Sequence, residues 1–141
     1  MTTQTWLYGT TDTVLSTELN SLGSTGLAVT AAAYTPTTLN YPFADVELNL
    51  PTMTAPTANT VVNVWFLPSI GGTNYESTSA VPSRDPDVFF TLGAVTSQLT
   101  VKMCRLPPGS FKVMLKNDTI GQAYASSGNT LKIKPKTYQF G

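Results

Sequence analysis

From residue 43 onward the chain is written in short runs with an apolar residue at every second position, and turn-forming residues close each run. The clearest run follows the corner LPPGS: in FKVMLKND, Phe111, Val113 and Leu115 point one way and Lys112, Met114 and Lys116 the other. A period of two fits a strand with one buried face and does not fit an amphipathic helix. FADVELNL at 43–50 repeats the pattern, with Ala44, Val46, Leu48 and Leu50 inward and Asp45, Glu47 and Asn49 outward. VVNVWFL at 61–67 is apolar on both faces, as a central strand is, and this places Trp65 in the core. In LTVKMCRL at 99–106 the same rule puts Leu99, Val101 and Met103 inside and Lys102 outside. LAVTAAAY at 27–34, VFFTL at 88–92 and the strand Thr130 to Ile133 complete the set.

The breakers TAPTAN, PSIGGTNYES, VPSRDPD, LPPG and SSGN lie between these runs. Several intervals are too long for a meander of hairpins, so some connections must cross between sheets. The expected fold is all-β: an antiparallel β-sandwich, jelly-roll or Greek-key like. One short N-terminal helix is expected in DTVLSTELNSLGSTG, where Leu15, Leu19 and Leu22 recur at i, i+4 and i+7, Asp12 caps the start and Gly23 the end. Residues 1–11 read as an extended N-terminal arm and 12–141 as a single β-sandwich domain, since 141 residues suffice to bury a core without metal or disulfide.

Charged residues make up 11% of the chain, against about 25% in an average protein. The polar surface is therefore built from Thr, Ser and Asn, which suits contact with another protein because few ions need desolvation. Net charge is zero but unevenly spread: residues 1–100 hold seven acids against one base, Arg84, and residues 101–141 hold seven bases against Asp118. If the C-terminal strands share an outward face, the molecule has a basic side and an acidic side.

The single cysteine, Cys104, forms no internal disulfide and reads as a structural thiol. MTTQTWLYGTT lacks the basic and apolar regions of a signal peptide, and no apolar run approaches the roughly 20 residues that span a bilayer. The expectation is a protein made in the cytoplasm with no membrane partner.

With no histidine in the chain, the commonest general base and imidazole metal sites are absent. Asp45 and Glu47 share a strand face in the manner of a glycosidase pair, but on the outward side and without a third group to position a substrate. RDPD at 84–87 falls short of the roughly six to eight oxygens that Ca²⁺ takes, and reads as a turn. IGGTN lacks the GK[ST] of a phosphate loop. The chain is expected to be no enzyme, with no catalytic residue, cofactor or metal.

Two features point to surfaces instead. Lys132, Lys134 and Lys136 line one strand face and are followed by Tyr138 and Phe140, while Trp6 and Tyr8 stand in the N-terminal arm. These seven residues are the expected protein interface; a solvated edge strand is the competing reading. Direct nucleic-acid binding is not expected, because it draws on more charge and more arginine. The aromatics in or near loops and termini, Trp6, Tyr8, Tyr34, Tyr41, Tyr75 and Tyr124, would instead suit a glycan platform if they converged.

Four stretches taken together, TELNSLG at 17–23, FADVELNLP at 43–51, NVWFLPSIGGTNY at 63–75 and LPPGSFKVMLKNDTIGQAYASSGNTLKI at 106–133, resemble a family of small virion proteins of tailed bacteriophages. IGGTNY departs from that family's more acidic turn, and KNDTIGQAYASSGN carries one extra residue between Thr119 and Gly121. The resemblance implies a structural protein located on the virion, of the capsid decoration or cement type, that binds and reinforces the shell of the major capsid protein. It further implies a homo-oligomer, dimer or trimer. A tail- or fibre-associated module that binds host surface glycan is the alternative.

Overall fold

The computed structural model describes residues 3–36, 41–119 and 121–140, without the side chain of Phe140. Its strands are β1 (Gln4–Tyr8), β2 (Asp12–Leu15), β3 (Leu27–Val29), β4 (Phe43–Leu50), β5 (Thr60–Pro68), β6 (Val88–Leu92), β7 (Gln98–Arg105), β8 (Phe111–Asp118) and β9 (Thr130–Phe140). They form two antiparallel sheets. Sheet A runs β1-β9-β4-β7, with β2 also paired to β9; sheet B runs β3-β8-β5-β6. Every connection from β2 onward crosses to the other sheet except β5 to β6. That is the strand order of a jelly roll, a β-sandwich of two Greek keys, with β1 added at the edge beside β2.

The alternation read in the sequence builds the core. Ala44, Val46, Leu48 and Leu50 of β4 and Leu131 and Ile133 of β9 face Val62, Val64 and Phe66 of β5 and Phe111, Val113 and Leu115 of β8, all buried. The Phe66 and Phe111 rings pack with centroids 5.1 Å apart. The LPPG corner places Gly109 at φ 76°, a backbone conformation glycine adopts freely, before β8 begins.

Four sequence expectations change. The N-terminal helix is replaced by β2 and a single 3-10 turn, Thr17–Leu19. Leu15 and Leu19 are still buried and Leu22 packs against them, but from a strand, a turn and a loop. The segment expected as an extended N-terminal arm is, from Gln4 to Tyr8, a sheet strand: β1 pairs with β9 from Gln4 opposite Phe140 to Tyr8 opposite Lys136. Trp65 is buried, yet outside the sandwich core. It joins Leu67 and Met114 in a second cluster on the outer face of sheet B, with Leu27 and Val29 packed against it. The connection 69–87 returns over this face, where the Trp65 indole N–H donates to the Arg84 carbonyl at 3.2 Å and the Lys112 ammonium lies over Tyr75.

The fourth change is in β7. Its pairing with β4 sets Cys104 opposite Ala44, Lys102 opposite Val46 and Thr100 opposite Leu48, so the even-numbered residues share the inward face. Leu99, Val101 and Met103 are therefore exposed, by 65%, 56% and 54%. Gln98 fixes this register: its buried side-chain amide donates to the carbonyls of Gly93 and Val95 in the preceding turn.

Candidate functional site

The outer face of sheet A gathers most of the interface residues expected from the sequence. In antiparallel pairs, residues directly opposite share a face. Trp6 is opposite Tyr138 and Tyr8 opposite Lys136, while β4 sets Phe43, Asp45 and Glu47 opposite Lys136, Lys134 and Lys132. On the far side β7 adds Arg105, Met103 and Val101 beside those same β4 residues. Four columns result: aromatic on β1, basic on β9, acidic on β4 and apolar on β7. Phe140 is paired through its backbone with Gln4, and its side chain lies outside the described residues.

One end of the face is aromatic. Trp6 stacks on Tyr138 with centroids 4.2 Å apart, and Phe43 meets both rings edge-on at 5.9 and 5.7 Å. Beneath them lies Lys136, only 5% exposed. Its ammonium sits 4.2 Å over Trp6 and 5.7 Å over Tyr8, and bonds Asp45 at 2.7 Å. Lys136 is thus a structural pin, and the accessible cations of the column are Lys132 and Lys134. Lys134 stands 4.6 Å over Tyr8. Further along, Asp45, Glu47, Val101, Lys132, Lys134 and Thr11 line a shallow groove of about 270 Å³.

The C-terminal bases do not share one side. β8 belongs to sheet B, so Lys112 and Lys116 lie on the opposite outer face, over Tyr75 and in a 3.0 Å ion pair with Asp118. The basic side expected from charge counting is split by the topology.

The other sequence candidates hold the fold together. Just before β6 begins, Asp87 accepts the Phe66 N–H at 2.7 Å and Arg84 donates to the Phe66 carbonyl at 2.9 Å, continuing the ladder with side chains. Arg84 also pairs with Asp87 and Glu76, each at 3.0 Å. RDPD is therefore an edge cap. Among the described residues no group of three or more acids and cysteines is placed to hold a metal ion, and no helix is long and apolar enough to cross a membrane. Cys104 is largely buried, which pushes its thiol up to about 12, with the charges of Asp87 and Asp45 adding to the effect and Lys136 opposing it. A thiol so held is a poor nucleophile.

Of the aromatics expected near loops and termini, Tyr34, Tyr75 and Tyr124 do not join Trp6 and Tyr8 on this face. Tyr124 is buried in the core, Tyr34 packs edge-on against Phe111, and Tyr75 lies on the sheet B side. Sequence reading missed Phe43 and the β7 column. The outward parity of Phe43 was legible from Asp45 and Glu47, whereas the β7 residues carried the signature of a core.

Compared with known protein families and with curated proteins, the chain matches none.

Proposed function

We propose that this chain is a structural protein of a tailed-bacteriophage virion, a decoration or cement protein whose sheet A face docks on the major capsid protein. The observation that carries the reading is the gathering of Trp6, Tyr8, Tyr138, Lys132 and Lys134 on one rigid sheet face, beside the exposed column Leu99, Val101 and Met103. Aromatic anchors with an apolar strip and a charged border are the composition of a protein interface. The motif resemblance supplies the kind of particle, which the fold alone does not, since jelly rolls serve capsid and lectin domains alike. The protein acts without catalysis or cofactor, as a homo-oligomer repeated over the shell, so that many modest contacts sum to firm attachment.

Attachment to heads is the test. Lys132→Glu combined with Lys134→Glu reverses the accessible charge without touching the core and is expected to reduce occupancy on purified capsids. Unchanged occupancy rejects the docking face. The glycan-binding alternative is weakened by Trp6, Tyr138 and Phe43 packing on each other, because sugars stack on free ring faces. Copy number separates the two: stoichiometry near that of the major capsid protein supports cement, and about a dozen copies or fewer per virion, the scale of a minor tail component, supports the alternative.

A further inference from the structure

Half of the exposed large hydrophobic side chains among the described residues lie on one flank of the sandwich: Phe89 on β6, Val95 in the turn that follows, and Leu99, Val101 and Met103 on β7. On this flank both sheets end, sheet B at β6 and sheet A at β7. The two edges of sheet A differ. The β9 side is covered by two short strands, β1 and β2, and the register of β2 slips between Thr13 and Leu15. Its β7 edge is one uninterrupted strand of eight residues, paired with β4 without a shift and containing no proline. Bulges and prolines are two of the usual protections of a free edge and β7 lacks both; a third, an inward-pointing charge, it has in Lys102.

We propose that β7 is a self-association edge, on which a second copy of this chain pairs its own β7 antiparallel about a two-fold axis through Val101. The two A sheets then become one continuous sheet. The sequence of β7 suits this pairing because it is self-complementary there. Val101 meets Val101 of the second copy, Leu99 meets Met103, Thr100 meets Lys102 and Gln98 meets Cys104, so no like charges stand opposite each other. Moving the axis by one residue, to Lys102, would set two ammonium groups face to face. Lys102 is the one charge on the inward side of the strand, and it is already turned onto the Phe89 ring at 3.9 Å, which holds it against its own sandwich. The joined strips form a six-residue apolar band, bordered on both sides by the Asp45, Glu47 and Asn49 columns of the two β4 strands. A two-fold contact closes on itself, so it covers the edge without propagating into a fibre.

This deepens the homo-oligomer part of the proposed function, and it is tested on free protein, where its failure leaves capsid attachment untouched. Sedimentation velocity of the whole chain is expected to give a dimer. Val101→Lys, which places two lysines opposite each other at the axis, is expected to give a monomer that still unfolds in one cooperative transition, since Val101 is exposed and its replacement leaves the core intact, and whose thermal midpoint, unlike that of the wild type, does not depend on protein concentration. Mixing Val101→Lys with Val101→Glu is expected to restore a dimer that contains one of each. A wild-type chain that sediments as a monomer or a trimer overturns the proposal. So does a Val101→Lys variant that assembles as the wild type does.

Discussion

Lys136 Nζ and Asp45 Oδ1 meet at 2.7 Å although the two residues are diagonal neighbours in the sheet: Lys136 is opposite Phe43, and Asp45 is opposite Lys134. The side chains are unequally buried, 6% exposed for the lysine and 27% for the aspartate. The pair is therefore asymmetric when broken. Asp45→Ala strands an ammonium beneath Trp6 and Tyr8 and is expected to cost about 2 kcal/mol or more, below the ~3–5 kcal/mol of a fully buried pair. Lys136→Met keeps the aliphatic stem and leaves a carboxylate that water reaches, for a loss of about 1 kcal/mol. Urea unfolding of the two variants should rank them in that order, and the reverse order would show that Lys136 is not held as described.

The inversion of β7 is checked by truncating its two faces. Leu99→Ala, Val101→Ala and Met103→Ala are each expected to change the stability of the monomer by no more than about 0.5 kcal/mol, as surface substitutions do. Val113→Ala on β8, with its side chain fully buried, should cost about 2–3 kcal/mol. If the β7 variants unfold as easily as the β8 variant, the strand faces the other way.

What the sequence disclosed and what it hid have a common physical origin. Alternation identifies a strand and sorts its residues into two sets, but the set that faces inward is decided by the neighbouring strand. For β4 and β8 the sets differ sharply, Ala44, Val46 and Leu48 against Asp45 and Glu47, and the reading holds. For β7 the apolar set faces out because pairing with β4 and the buried Gln98 fix the register. Strands β1 and β2 were hidden because each is short and buries little, Leu15 being the one fully buried side chain between them. The three leucines that mimic a helical stripe reach the core from three different local structures. The candidate interface residues were legible singly, as lysines and aromatics near the termini. Their gathering on one face was not, because it depends on β1 pairing with the last strand of the chain.

Arg84 closes the loop over sheet B, and its removal should open that loop before it unfolds the domain. The guanidinium bonds the Phe66 carbonyl, Glu76 and Asp87, and its backbone carbonyl holds the Trp65 indole. About a third of the side chain is solvent exposed, which screens the ion pairs, so the bond to Phe66 dominates. Arg84→Ala is expected to cost about 1–2 kcal/mol, the range of hydrogen bonds to charged groups. Limited proteolysis should then cut between Ile70 and Val81 faster than in the wild type, and equal cutting rates would show that the loop is held by other contacts.

Alkaline pH should weaken the fold through three acids, Tyr124 buried and Cys104 and Tyr34 partly so. Burial raises the Cys104 thiol from its ordinary 9.0 to about 12, and raises the Tyr34 and Tyr124 hydroxyls well above 10.0, with the Asp12 hydrogen bond adding to the first tyrosine and the charge of Asp118 to the second. Above pH 9.0 the unfolded chain releases the thiol proton while the native chain keeps it up to about pH 12. The unfolded state then binds fewer protons, and stability falls as pH rises through that window. Urea midpoints are expected to be level below the window and to decline within it. Cys104→Ala should flatten the first part of the decline and leave the tyrosine part. A thiol reagent at pH 8 should modify the native protein far more slowly than the urea-unfolded chain, because the reactive thiolate is the form that burial disfavours. Equal rates in the two states would mean that Cys104 is open to solvent, and the thiol's share of the alkaline slope would have to vanish with it.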